Sequence, residues 1–162
     1  MKKITIFCSA IALSLLIACG GGDDKKAEAP ATGEEAPKSM VNTSDYDPKR
    51  GEGKWSADNV NIAAKLDPAM AASGKEIFDV KCASCHKTTD ERLVGPGWKG
   101  VTTRQTAPWI MNFITNPDDM IDKDPELQAQ LEICLVRMPN QSLTDDDARK
   151  LLEFMRQNDG VQ

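Results

Sequence analysis

Five consecutive residues carry the strongest chemical pattern in the chain: Cys82, Ala83, Ser84, Cys85 and His86 spell C-x-x-C-H. Two thiols one helical turn apart can add across the two vinyl groups on one porphyrin edge. The adjacent imidazole then faces the iron as its proximal ligand. That chemistry is covalent haem c attachment through Cys82 and Cys85, with His86 on the metal. The same residue types suit two other uses. A thioredoxin-like C-x-x-C needs a preceding strand and a βαβ setting, whereas the residues ahead of Cys82 read as helix. A Cys3His zinc site could draw on Cys82, Cys85, His86 and Cys134.

The chain has 162 residues, with five Cys and a single His. One histidine excludes multi-histidine metal sites, bis-histidine haem and histidine relays. With His86 on one face of an iron, the other face needs a different donor. The downstream methionines are Met111, Met120, Met138 and Met155. Met111 and Met155 fall within helical patterns and read as core. Met138 stands in Arg137-Met138-Pro139-Asn140, just ahead of the last helical pattern, and is the expected sixth ligand. Met120, soon after Pro117, is the second choice. A haem with an open sixth position, acting as sensor or enzyme, is the alternative.

The elements that must position these residues read as helices. Asp67-Pro68 is an N-cap followed by proline at the first helical position, opening a helix toward Cys82. Thr106-Ala107-Pro108 opens a second, Trp109 to Thr115, which stops before Asn116-Pro117. Asp124-Pro125 opens a third through about Val136. Thr144 and Asp147 have the spacing of a capping box for a fourth, which closes near Gly160. No segment alternates as a half-buried strand does, so the expected fold is a small all-α domain. Aromatic residues make up only 5% of the chain, so a bound cofactor would have to supply much of the core.

About Asp67 to Asn158, the chain resembles the class I c-type cytochromes. Gly74 and Phe78 match the Gly-x-x-x-aromatic pattern by which that family's first helix crosses its last. Leu151 and Phe154 fit the partner positions. The resemblance implies helices wrapped around one haem c and its iron. It implies that the Pro96 carbonyl, in Gly95-Pro96, accepts the free ring N–H of His86. It also implies that Trp98 lines the haem and that Arg104 binds a propionate, with Trp109 competing for that second role. The family presents its axial methionine in a Met-Pro loop, here Met138-Pro139, and a thioether raises the potential relative to two nitrogen donors. Cys134 reads as a small buried apolar residue. Iron held by protein on both faces leaves no place for a small-molecule substrate, so the implied activity is electron transfer rather than catalysis.

The N-terminus has its own signals. Met1-Lys2-Lys3 and the apolar run Ile4 to Ala18 have the form of a secretory signal, shorter than the ~18–20 apolar residues of a bilayer span. Its end, Leu16-Ile17-Ala18-Cys19-Gly20, resembles the lipobox of bacterial lipoproteins. That resemblance implies cleavage before Cys19 and lipid attachment to it, with the domain in the periplasm and anchored to a membrane. Cys8 leaves with the signal. Residues 19–58 read as lipidated N-terminus and flexible tether, poor in aliphatic residues, with a reach of roughly 30–35 Å. Trp55 is the exception and a candidate docking point for the tether. Residues 59–162 form the expected cytochrome domain.

The formal net charge of −5 argues against a nucleic-acid partner. Residues 74–104 carry six basic and four acidic side chains, whereas residues 116–147 carry nine acidic and two basic. Such asymmetry can steer partners to one side. The stretches Glu91 to Val101 and Cys134 to Gln141 resemble those of small lipoprotein cytochromes that accompany nitrous-oxide reductase in some bacteria. The expected partners of this monomer are therefore a respiratory electron donor and a terminal reductase or oxidase.

Overall fold

A computed structural model describes residues 46–162. The signal segment, Cys19 with its lipid, and the first part of the tether lie outside the described residues. Within them the chain forms α1 (Pro68–Lys81), α2 (Val101–Arg104), α3 (Ala107–Thr115), α4 (Pro117–Lys123), α5 (Pro125–Cys134) and α6 (Asp145–Asn158). Among these residues the one β-type pairing is an isolated bridge between His86 and Arg92. None of these helices is long and apolar enough to cross a membrane.

Helix starts follow from their capping residues. Asp67 accepts the N–H groups of Ala69 and Met70 at 3.0 Å each, and Pro68 needs no acceptor in the first turn. Thr106 caps α3 by accepting from Trp109 N. Thr144 and Asp147 exchange both bonds of a capping box at the head of α6. The frame is the crossing of α1 with α6. An added Cβ at Gly74 would stand 2.1 Å from the Lys150 carbonyl oxygen, so only glycine allows this approach. Phe78 fills the crossing, with ring centroids 5.5 Å from Phe154 and 4.6 Å from Trp98. Leu151 is fully buried beside it. The all-α cytochrome-like crossing of the first and last helices is the observed one.

Four features depart from the sequence reading. The single turn of α2 follows Gly100 at φ 73° and carries no side-chain cap, so no start signal marked it. The helix that stops before Asn116-Pro117 is followed at once by another: Pro117 sits in the first turn of α4, which the stop signal concealed. The third helix ends at Cys134 rather than Val136, because Leu135 turns to the left-handed conformation at φ 56°. The boundary between tether and domain also lies earlier than residue 59. Residues from Tyr46 onward pack on α3 and α4 through polar rather than aliphatic contacts, which a count of aliphatic residues does not register. The Tyr46 hydroxyl donates to Asp124 Oδ2, and Glu52 N lies 2.8 Å from Met120 Sδ. Trp55 N donates to Asn112 Oδ1 at 2.9 Å, while Asn112 Nδ2 donates to the carbonyls of Arg50 and Trp55.

Asp124 gathers this strap into the core. It is buried, caps α5 by accepting from Glu126 N and Leu127 N, and accepts the Trp109 indole N–H at 2.7 Å. On the other flank, buried Glu153 accepts Asp67 N at 2.9 Å and is held by Arg156, which also donates to the Ala63 carbonyl at 2.7 Å. These bonds fasten the segment before α1 onto α6.

Candidate cofactor site

The attachment motif begins where α1 ends. Cys82 is the C-cap of α1, and its carbonyl accepts from Cys85 N and His86 N at 3.0 and 2.9 Å. This turn lets the sulfurs of Cys82 and Cys85, both free thiols, border one cavity. Burial pushes the Cys82 thiol up to about 11, with Lys81 opposing and Cys85 adding to the shift.

His86 is fixed from the loop that follows. Its Nδ1 lies 2.9 Å from the Pro96 carbonyl oxygen. A carbonyl can only accept, so Nδ1 carries the hydrogen and Nε2 keeps its lone pair. Burial lowers the imidazole pKa, with the Pro96 bond opposing, so the ring is neutral at neutral pH. Gly95 lies flat on the ring: a Cβ there would come within 2.3 Å of His86 Cε1. The loop closes through Gly95 N and Val94 N, both donating to the Cys85 carbonyl. Trp98 is buried beside the ring, with centroids 5.8 Å apart.

Met138, in the segment between α5 and α6, lines the same cavities as this ring. Three adjoining cavities of about 90, 140 and 220 Å³ are each lined by both His86 and Met138. The first has apolar walls from Val94, Phe113, Ile121, Leu127 and Leu131. The second adds Trp98, Val101 and Ile110, with Arg104, Gln105 and Glu126 at a polar end. The third is bounded by Cys82, Cys85, Ile114 and Leu151. Arg137 holds the Met138 segment to α4, with Nε 2.8 Å from Asp118 Oδ1 and Nη2 2.7 Å from Asp122 Oδ1. From the α1 side, Lys81 Nζ donates to the Gln141 carbonyl at 2.9 Å.

The other methionines are committed elsewhere. Met120 is buried under the strap and lines none of the three cavities, and Met111 is likewise core. Met155 borders the second cavity from within α6. Arg104 also borders it, with Nη1 donating to the Lys99 carbonyl at 2.6 Å. Trp109 touches the same cavity, but its indole N–H is already given to Asp124, which removes it from the propionate role. Cys134 is not a buried apolar residue. It is half-buried at the rim of the first cavity, with Arg92 Nη1 3.1 Å from its sulfur. Among the described residues, no group of three or more His, Cys, Asp or Glu is placed to hold a metal ion by itself. That removes the Cys3His zinc site.

Gln130 is the residue that sequence reasoning missed. It lines the first two cavities, and its buried Oε1 has no hydrogen-bond partner. Its polarity disguised its place, because it alternates with Leu127 and Leu131 on the inward side of α5.

The cytochrome c family model matches residues 71–159. The chain belongs to the cytochrome c family. It is similar to the cytochrome c from Rhodothermus marinus, at 32% identity over 64% of this chain and 89% of that one, with a TM-score of 0.61. An engineered form of that cytochrome, Rma TDE, matches at 31% identity over 64% of this chain and 90% of its own, with a TM-score of 0.60. No curated protein sequence matches the chain.

Cytochromes c hold haem c covalently, so the cofactor is haem c with its iron, and the chemistry is haem-based electron transfer. The residues of this cytochrome fit that group. Two free thiols border one cavity, a neutral imidazole keeps Nε2 available, and apolar walls surround a buried amide oxygen that lacks a donor.

Proposed function

We propose that this cytochrome is a membrane-tethered, periplasmic one-electron carrier whose haem is bound through Cys82 and Cys85, with His86 and Met138 on the iron. Bound haem c supplies a one-electron Fe(III)/Fe(II) couple. The observation that carries the reading is that His86 and Met138 line the same three cavities, one of them also bounded by both cysteines. Pro96 orients the His86 ring and raises its basicity through the Nδ1 bond. Trp98 packs beside the ring, and Arg104 supplies a cation at the polar end for carboxylates. His86 and Met138 together would hold the iron and leave no coordination position for a substrate, which is why we read the chain as a carrier rather than an enzyme.

Lipid on Cys19 anchors the chain, and the segment up to the Tyr46 strap serves as the leash. The donor is a component of the respiratory chain. The acceptor is a terminal reductase, with nitrous-oxide reductase the first choice, or a terminal oxidase.

A visible spectrum of the haem-matured protein tests the ligation. Sharp reduced α and β bands are expected, with a weak far-red sulfur-to-iron band in the oxidised form that Met138→Ala abolishes. A band that survives in Met138→Ala overturns the assignment. Loss of lipid labelling in Cys19→Ser tests the anchor. Reoxidation of the reduced protein by purified nitrous-oxide reductase with its substrate, compared with a terminal oxidase, tests the acceptor.

A further inference from the structure

Among the described residues, seven large apolar side chains are exposed, and three of them, Leu93, Ile133 and Leu135, stand outside the three cavities at the edge of the first. They meet at one place. Val94 and Val136 both line the first cavity, and the Arg92 guanidinium reaches across to Cys134, so the 92–94 loop and the end of α5 form one continuous lip. Leu135 is the telling residue. It is 83% exposed and held at φ 56°, a conformation that favours glycine or asparagine over leucine. A leucine that gains no burial and sits in a disfavoured backbone region adds nothing to the fold. Its apolar surface has a use only against another surface.

The charge around the lip says what kind of surface that is. Residues 116–137 hold six acidic and two basic side chains. Arg137, next to Val136, is forked onto Asp118 and Asp122, and exposed Glu132 adjoins Ile133. A second copy of this chain would bring the same acidic rim to the contact and be repelled by it.

We propose that this lip is the docking surface for the redox partner, and that the partner presents an apolar contact ringed by lysine and arginine. The proposal rests on the electron-carrier reading and commits to one edge of the cofactor site. That edge is not the attachment-cysteine edge, where exposed Val80 borders the third cavity.

The test uses the full chain matured with haem, and as probe a strongly basic mitochondrial cytochrome c with zinc in place of iron. Electron-transfer quenching of the probe's triplet state gives the bimolecular rate. The Ile133→Gln, Leu135→Asn double variant keeps charge unchanged, suits the left-handed position at 135 and spares every residue that lines the three cavities. It is expected to slow quenching at least about tenfold with an unchanged midpoint potential, while Ile62→Asn, at an exposed apolar residue that lines none of the three cavities, leaves the rate as it was. Glu132→Gln is expected to flatten the dependence of the rate on salt. Quenching by the double variant at the wild-type rate, or an equal loss in Ile62→Asn, overturns the proposal. So does a dimer by sedimentation that the double variant dissolves, which would make a second copy the occupant. A redox titration of the same samples judges the carrier reading separately: absence of a one-electron wave would refute that reading, whatever the quenching shows.

Discussion

On the His86 side of the cavities, the contacts are short in sequence and tight in space. The Cys82–His86 turn closes on the Cys82 carbonyl, Pro96 takes the ring N–H, Gly95 lies against the ring, and α1 rests directly on α6 at Gly74. On the Met138 side, the wall is assembled from distant pieces. A strap beginning at Tyr46 meets α3, α4 and α5 at Asp124, and salt bridges from Arg137 carry the methionine segment. Exposed Ile133, Leu135 and Val136 stand on this second side, facing Leu93 and Val94 of the loop that holds His86. A ring that must present one nitrogen in one direction needs neighbours too close to yield. A surface that must meet partners can be propped at its margins by polar links, with its apolar face left outside.

The largest effect should come from the tight side. Gly74→Val drives a side chain into the Lys150 carbonyl, and a loss of about 3 kcal/mol is expected in denaturant unfolding of the matured protein. Asp124→Ala asks whether the strapped side bears comparable load. It removes the cap of α5 and the acceptor for Trp109 and Tyr46, and about 2 kcal/mol should be lost. Met138→Ala should leave folding nearly intact while lowering the midpoint potential by on the order of 50–100 mV, measured by redox titration.

The smallest effect concerns pH. Burial pushes the Glu153 carboxyl up, but the Asp67 N–H and the Arg156 and Arg149 cations outweigh it and hold its folded-state pKa below the ordinary glutamate value. The stability this contributes is complete above that ordinary value and is lost as pH falls through the lower folded-state one. Glu153→Gln should therefore flatten the acid limb of the stability curve in that window and leave the neutral and basic limbs parallel to wild type.

The tight side was the more legible of the two, for a physical reason. Capping pairs such as Asp67-Pro68 and Thr144 with Asp147 act within one turn, and C-x-x-C-H carries its own geometry. Local sequence therefore suffices for them. Gly74 and Phe78 could be read because a crossing without a Cβ leaves a glycine at a set distance from the motif. The strap could not be read, since Tyr46 meets its acceptor 78 residues away and Asn112 reaches back to Arg50 across 62. Helix α4 was hidden because Asn116-Pro117 ends one helix and begins the next with the same two residues. Cys134 was misplaced because a thiol's type carries no record of the guanidinium that comes to lie against it.

The sequence by itself determined the cofactor chemistry, the all-α class and the starts of α1, α3, α5 and α6, because each rests on residues within a few positions of one another. Only the tertiary structure decided which methionine shares its cavities with His86, which tryptophan has already spent its N–H, and where apolar residues stay uncovered. Those outcomes depend on which surfaces meet after the chain has closed, and they are set by packing between segments whose separation in sequence carries no distance.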